Sequence, residues 1–367
     1  MNMVFTLVIT VFYIIFEAIG LLGNLLVITT IFLESRFHVM RYVALASLAV
    51  SDFLYLILVP SFRIASMVQG RWPFGEMFCN LNTNFARYFY FNTILHLIVV
   101  SYDRYRAIVK SPLTYDGTIS TAKKVSMVIN WIVPIPFFIT PFLRGRKFHY
   151  NPLVFKCEEG LWSSPSSSEN TSDGAKAMLF SILLIVLPLL VTVFFNWSVY
   201  KTAKTHINAC KIQVESVSGL EESQQRQQEM IRRKAERRAA ADVNIIVVSF
   251  FLCFLPPWIR GLLRNFAGSV KVAAEATLIT DGCFMVNAFC NPLIYSFRKR
   301  DFRASVKNLL RRFRQSGGVN NWKLKKSLCW DSISKDRFVW SRNRGTQRRL
   351  SSNCSNGYRG PEFIFPR

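Results

Sequence analysis

The sequence predicts an all-α membrane protein, a seven-transmembrane helix bundle with a short amphipathic eighth helix. Three observations carry this. The hydrophobic fraction is 51% in a chain of 367 residues, high for a soluble protein. That hydrophobicity falls into seven blocks, over 4–33, 40–66, 76–109, 121–142, 175–203, 230–263 and 273–296, more than a soluble core explains. The basic residues are also unevenly placed: residues 298–367 hold 19 Lys and Arg against 4 Asp and Glu, a net +15 of the chain's +24. Arg36, Arg41, Lys110, Lys123, Lys124 and the 201–238 segment add basic residues, whereas 157–173 carries Glu158, Glu159, Glu169 and Asp173. The positive-inside rule then puts the N-terminus outside and the tail in the cytoplasm of a multi-pass membrane protein. The charge reads as attraction to anionic membrane lipids rather than to nucleic acid.

The opening MNMVFTLVITVFYIIF lacks a basic n-region and is too long for a cleaved signal peptide, so it belongs to the first span. There Gly23 beside Asn24 suits close helix packing and an interhelical hydrogen bond. Asp52 lies near the middle of the second span, at a cost of about 2.5–3.5 kcal/mol on insertion scales, and so should face polar groups or an ion. An aromatic turn, Arg71 to Gly75, leads to the third span, which bears Cys79 at one mouth and Asp103-Arg104-Tyr105 at the other. The fourth holds Trp131 and is kinked by Pro134 and Pro136; the fifth is broken by Pro188. The sixth runs through Phe250, Phe254, Pro256, Pro257 and Trp258, and its prolines should bend it. The seventh reads Asn287 to Tyr295.

Segment 204–235 is polar and lacks Pro, and is expected to extend the fifth and sixth helices into the cytosol. With these spans, residues 1–297 form the seven-transmembrane domain. Residues 298–314 form the amphipathic helix, with Phe297, Phe302, Leu309 and Leu310 on the membrane surface. Residues 315–367 have no period and are expected to be a basic, disordered tail.

Of eight cysteines, topology leaves only Cys79 and Cys157 in oxidising territory. A Cys79–Cys157 bridge follows by elimination, worth up to about 4 kcal/mol in the chain-entropy model. Asn170-Thr171-Ser172 is a glycosylation sequon on the outside. Enzymatic chemistry has no foothold: His38, His96, His149 and His206 fall at no metal spacing, and GxSxG is absent. A transporter or channel is the alternative, but the halves show no internal repeat.

In order along the chain stand Gly23-Asn24, Leu48-Ala49 with Asp52, Cys79, Asp103-Arg104-Tyr105, Trp131, Pro188, Phe250-Cys253-Pro256 and Asn291-Pro292-Tyr295. This series resembles the rhodopsin-like (class A) G-protein-coupled receptors over about residues 4–310. The resemblance implies an extracellular ligand, a heterotrimeric G protein, arrestin and receptor kinases as partners, and outward movement of the sixth helix on activation. It implies that Arg104 contacts the G protein, held at rest by Asp103 and by Glu236, with Asn291, Pro292 and Tyr295 in the same switch. Ile94, Pro188 and Phe250 match the packed trio that couples pocket to cytoplasm. Asn24, Asp52, Thr93, Asn287 and Asn291 match a polar core that binds an allosteric sodium ion.

The departures are specific. Phe254 replaces the usual tryptophan, Asn196 a tyrosine and Ala288 a serine. Ala86 stands where amine receptors carry their ammonium-binding aspartate, and Met285 where opsins carry their lysine. Neither an opsin nor a conventional amine receptor is expected. Arg63, Arg87, Arg260, Arg264, Glu17 and Asp281 are charges in the outer halves of spans, with Arg87 and Asp281 a candidate pair. The four arginines and Asp281, with Ala86, Tyr90, Trp258 and Met285, outline a candidate pocket whose arginines suit an anionic or peptide ligand. A ligand-independent receptor of the same fold is the second reading. Ser351 follows Arg348-Arg349-Leu350 as a candidate phosphorylation site, and Cys329 is a candidate for palmitoylation.

Overall fold

Helix α1 (Met3–Leu33) opens the chain, its first turn capped by Asn2, whose side-chain oxygen accepts from the Val4 amide at 3.0 Å. The computed structural model describes residues 2–110, 121–143, 148–159, 186–205, 241, 244–260, 263, 273–298 and 300–315. After a 3₁₀ turn at Ser35–Phe37 come α2 (Met40–Leu58), α3 (Pro60–Gln69) and α4 (Gly75–Tyr105), the last extended by a π-helical turn over Arg106–Lys110. Helices α5 (Thr121–Ile132) and α6 (Ile135–Leu143) precede an antiparallel hairpin of β1 (Phe148–Asn151) and β2 (Lys156–Glu159), with Tyr150 opposite Cys157. Then follow α7 (Val186–Thr205), α8 (Asn244–Arg260), α9 (Ala274–Arg298) and α10 (Arg300–Gln315). The chain divides into two units, Met1–Lys307 and Asn308–Arg367; the bundle belongs to the first, and the end of α10 is the described part of the second.

The span expected over 40–66 is two helices. Pro60 has no N–H to continue the ladder, so α2 stops at Leu58 and α3 restarts with proline in its first turn. The freed carbonyls find side chains instead: Ser61 donates to Leu56 at 2.9 Å, and Asn82 of α4 donates to Leu58 and Val59 at 2.9 and 3.1 Å. Pro134 divides α5 from α6 in the same way. Asn92 of α4 donates to the Asn130 carbonyl at 2.9 Å, the acceptor that Pro134 cannot serve, and Tyr88 donates to Trp131 at 2.8 Å. Helix α8, by contrast, is helical through Pro256 and Pro257.

Helix α1 packs on α2 and α9, and α2 packs on α4, which also touches α5, α6 and both strands. The approach of α1 to α9 needs a glycine, because a Cβ on Gly23 would lie 2.8 Å from the Pro292 ring. Among the described residues four helical stretches are long and apolar enough to cross a membrane: Met3–Leu33, Met40–Gln69, Thr121–Leu143 and Val186–Thr205. Helix α1 turns Leu7, Val8, Val11, Ile15 and Leu22 outward, as a lipid-facing helix does. Helix α4 instead buries Asn82, Asn84, Asn92, Thr93, His96, Asp103 and Arg104.

One core cluster joins Ile94, Leu97, Val100, Phe250 and Phe254; a second, with Tyr13, Tyr55, Phe89, Leu278 and Met285, lies toward the hairpin residue Phe155. Phe302 corrects an expectation. It is buried rather than on a membrane surface, because α10 turns it onto Phe37, ring centroids 6.2 Å apart, while Arg36 hydrogen-bonds Ser305.

Candidate functional site

Helix α4 links three places where polar groups gather. At its last turn Asp103 and Arg104 are both buried and form an ion pair with each other. Tyr105 lies beside them, its ring 5.1 Å from that of Phe195 on α7. Between this end and α7 is a cavity of about 400 Å³ lined by Tyr105, Val109, Ser198, Lys201, Thr202 and Thr205. Asn196 donates to Ser101 at 2.8 Å, tying α7 to α4 one turn before the ion pair. Glu236 lies outside the described residues, as does the side chain of Tyr295 on α9.

The middle of the bundle brings Asp52, Asn24 and Asn291 together. Asp52 accepts from Asn291 at 2.7 Å, and Asn24 donates to the carbonyls of Gly20 and Ala288 at 2.9 and 3.0 Å. Thr93 and Asn287 are buried as well, and Thr93 donates to Phe89 at 2.9 Å. The side-chain oxygens of Asn24, Ser51 and Asn291 have no hydrogen-bond partner among the described residues. An acid bonded to Asn291, with orphaned neutral oxygens on the same helices, offers the donor type a small hard cation takes, and these residues fit sodium on that ground. Pro292 is buried against Gly23. A network not foreseen lies alongside. Trp131 donates to Ser47 at 3.0 Å, so Ser47 donates to His96 Nε2 at 2.8 Å and leaves His96 Nδ1–H for the Asn92 carbonyl.

Aromatic rings connect the middle to the Cys79 end. Tyr55 meets Phe284 at 5.0 Å, Phe284 meets Tyr90 at 4.9 Å, Tyr90 stacks on Phe254 at 4.5 Å, and Phe254 stacks on Phe250 at 5.1 Å. Ile94 packs in the same cluster, beside Leu189, which follows Pro188. Phe254 therefore holds the centre of an aromatic column although it replaces the expected tryptophan. Pro256 and Trp258 are half-buried, and Met285 is fully buried.

At the Cys79 end the disulfide to Cys157 is formed, with Cα atoms 5.5 Å apart. Thr83 donates to the Cys157 carbonyl at 3.1 Å, and Asn80 accepts from the Phe148 amide at 3.0 Å, so α4 holds both strands of the hairpin. Alternation along β2 turns Cys157 to α4 and Lys156 and Glu158 to the other face.

Lys156 enters an ion cluster that the sequence did not disclose. Asp281 accepts from Lys156 at 2.6 Å, from Arg260 at 2.6 Å and from Arg63 at 3.0 Å, and Glu158 lies 3.5 Å from Lys156. Arg63 also donates to the Val154 carbonyl at 2.8 Å and covers the Tyr13 ring. Burial pushes the Lys156 ammonium below its usual range, with the Asp281 carboxylate opposing the shift. The candidate partner of Asp281, Arg87, has its guanidinium over the Phe148 ring at 5.2 Å, and Ala86 beside it is half-buried. Glu17 accepts from Ser61. Arg264, Asn170, Cys329, Ser351 and the tail lie outside the described residues. The signal for Lys156 was its place next to Cys157, one residue out of phase with the bridged side chain.

Residues 23–295 match the family described as 7 transmembrane receptor (rhodopsin family). The octopamine receptor beta-1R of Drosophila melanogaster is 28% identical over 307 residues, covering 80% of this chain. The chain spans 59% of that receptor's length. Trace amine-associated receptor 9 of Rattus norvegicus is 30% identical over 297 residues, covering 79% of this chain and 82% of that protein. Squid rhodopsin has the same fold, with a TM-score of 0.73 at 18% identity over 89% of this chain and 91% of its own. Both relatives carry amine names, which leaves the expectation drawn from Ala86 without support from these matches. A transporter or channel is not favoured. The chain belongs to the rhodopsin family of seven-transmembrane receptors, and is a G-protein-coupled receptor.

Proposed function

We propose that the chain is a plasma-membrane receptor, its N-terminus outside, that converts binding of an extracellular ligand into nucleotide exchange on a heterotrimeric G protein. The observation that carries this reading is the buried Asp103–Arg104 pair at one end of the helix whose other end is bridged to the hairpin. In the resting state Asp103 occupies Arg104. Ligand contacts at the Cys79 end favour a state in which α8 moves outward near Pro256. Arg104 is then released toward the G protein, and the Tyr90–Phe254–Phe250 column transmits the change.

The polar core takes sodium at Asp52, which favours the resting state. Ala86 and Met285 argue that the ligand is neither a conventional amine nor a retinal Schiff base. The arginines near Asp281 favour an anionic ligand, with a peptide as the larger variant. Arrestin, receptor kinases acting near Ser351, and anionic lipids at the tail complete the partners, and Asn170 carries a glycan.

The test is a panel of G-protein dissociation reporters in cells expressing the full chain. Asp103→Asn should raise ligand-free signalling several-fold, and Arg104→Ala should abolish it at equal surface expression. A signal that ignores both substitutions would sink the reading.

A further inference from the structure

Among the described residues, the ion cluster at the Cys79 end holds more positive charge than its own carboxylates balance. Arg63, Lys156 and Arg260 face Asp281 and Glu158, so the cluster is net +1 among the described residues. Each arginine also keeps an unused donor. Arg63 gives one terminal nitrogen to Asp281 and the other to Val154, and Arg260 gives one to the second Asp281 oxygen. The Nε–H of Arg63 and the Nε–H of Arg260 are buried without a hydrogen-bond partner among the described residues. Arg63 as a whole is only 8% exposed. Buried donors of a charged group are costly to leave unmade.

These facts decide the sign of the ligand. An ammonium would raise the cluster to net +2 and would have to evict Lys156 from Asp281. A carboxylate brings the charge to zero and accepts the two orphaned N–H groups. Against Arg63 packs a buried aromatic and aliphatic group, Tyr13, Tyr55, Phe89, Phe155, Leu278 and Met285, with the guanidinium over the Tyr13 ring. Such surroundings suit a ring more than a second charge.

We propose that a small aromatic monocarboxylate binds at this cluster, its carboxylate accepting from Arg63 and Arg260 beside Asp281, with Lys156 as the third counter-charge. The inference rests on the receptor reading above and gives its ligand a chemical class. Asp281 acts as a resident counter-ion that keeps the three cations assembled until the ligand arrives.

The experiment uses two probes of the same shape and opposite charge, phenylacetate and phenethylamine. The purified full-length receptor in detergent is heated with each, and a probe that binds the folded state raises the midpoint in a dose-dependent way. Phenylacetate should raise it and phenethylamine should not. Arg63→Gln and Arg260→Gln should each weaken phenylacetate at least tenfold. Arg260→Lys, which keeps the charge and loses Nε–H, should weaken it as well. Glu158→Gln, which removes a negative charge and leaves Asp281 in place, should tighten it several-fold, so the proposal stays decidable if an arginine variant does not fold.

Stabilisation by phenethylamine alone, or by neither probe, overturns the proposal, as does a phenylacetate effect indifferent to these substitutions. No G protein is present in this assay. A receptor that drives the reporters and ignores phenylacetate overturns this inference alone, while one that binds phenylacetate and drives no reporter overturns the receptor reading alone.

Discussion

Asp52 shows how far a single residue can be read. A carboxylate in an apolar span announces itself in the sequence, and so do Asn24 and Asn291, because each costs free energy unless it meets a partner. Their meeting is seen only in the fold, where Asn291 bonds Asp52 and both asparagines keep an orphaned oxygen. If sodium favours the resting state, replacing sodium by choline should raise ligand-free nucleotide exchange in receptor-bearing membranes. Asp52→Asn should remove that difference, and a sodium effect of equal size in the variant would refute the assignment. Lys156 shows the opposite case. A lysine in a polar loop is ordinary in a sequence, and its burial depends on residues 63, 260 and 281, which are far away along the chain. No local pattern could have named its partners, and Arg87 was paired with Asp281 for lack of that information.

At the scale of elements, the prolines were legible and their consequences were not. Pro134 was expected to kink its span, but the acceptors it frees are served from α4, through Asn92 and Tyr88. Asn82 does the same at the Val59–Pro60 break, which was not foreseen at all. This explains why α4 is too polar to stand among the four membrane-like stretches of the described residues although it buries much of its length in the bundle. Its amides replace the backbone hydrogen bonds that two neighbouring helices lack. Asn92→Leu should therefore destabilise the receptor by about 1–3 kcal/mol, the cost of leaving a buried carbonyl unpaired. Pro134→Ala restores the missing N–H, so the Asn92→Leu penalty should shrink in that background. Thermal midpoints of the four proteins in one detergent measure the coupling, and strict additivity would argue that the bond does not matter.

For the whole molecule, hydropathy and charge placement were enough to predict a seven-helix membrane bundle, because lipid leaves the backbone so few choices. The family match and the fold shared with squid rhodopsin agree with that. Which residues converge was another matter, since the aromatic column and the ion cluster draw on helices far apart in sequence. Switching such a bundle from 1:99 to 99:1 takes about 5.5 kcal/mol of differential ligand binding. No single contact supplies that. A ligand that rearranges the Asp281 cluster acts on α3, the hairpin, α8 and α9 together, which is the kind of leverage a receptor needs.

The hairpin that bears both Cys157 and Lys156 has one more consequence. Because Cys157 is covalently held to α4, its neighbour Lys156 meets Asp281 at a high effective concentration, as one end of a short tether meets the other. The ammonium is in this sense a resident counter-charge that never diffuses away. Cutting the tether dilutes it. Mild dithiothreitol treatment of intact cells, or Cys157→Ser, should therefore lower the thermal midpoint of the receptor and weaken phenylacetate together, whereas Lys156→Gln should make phenylacetate binding much less sensitive to dithiothreitol. A redox bond on one face of a strand thus sets the strength of an ion pair on the other.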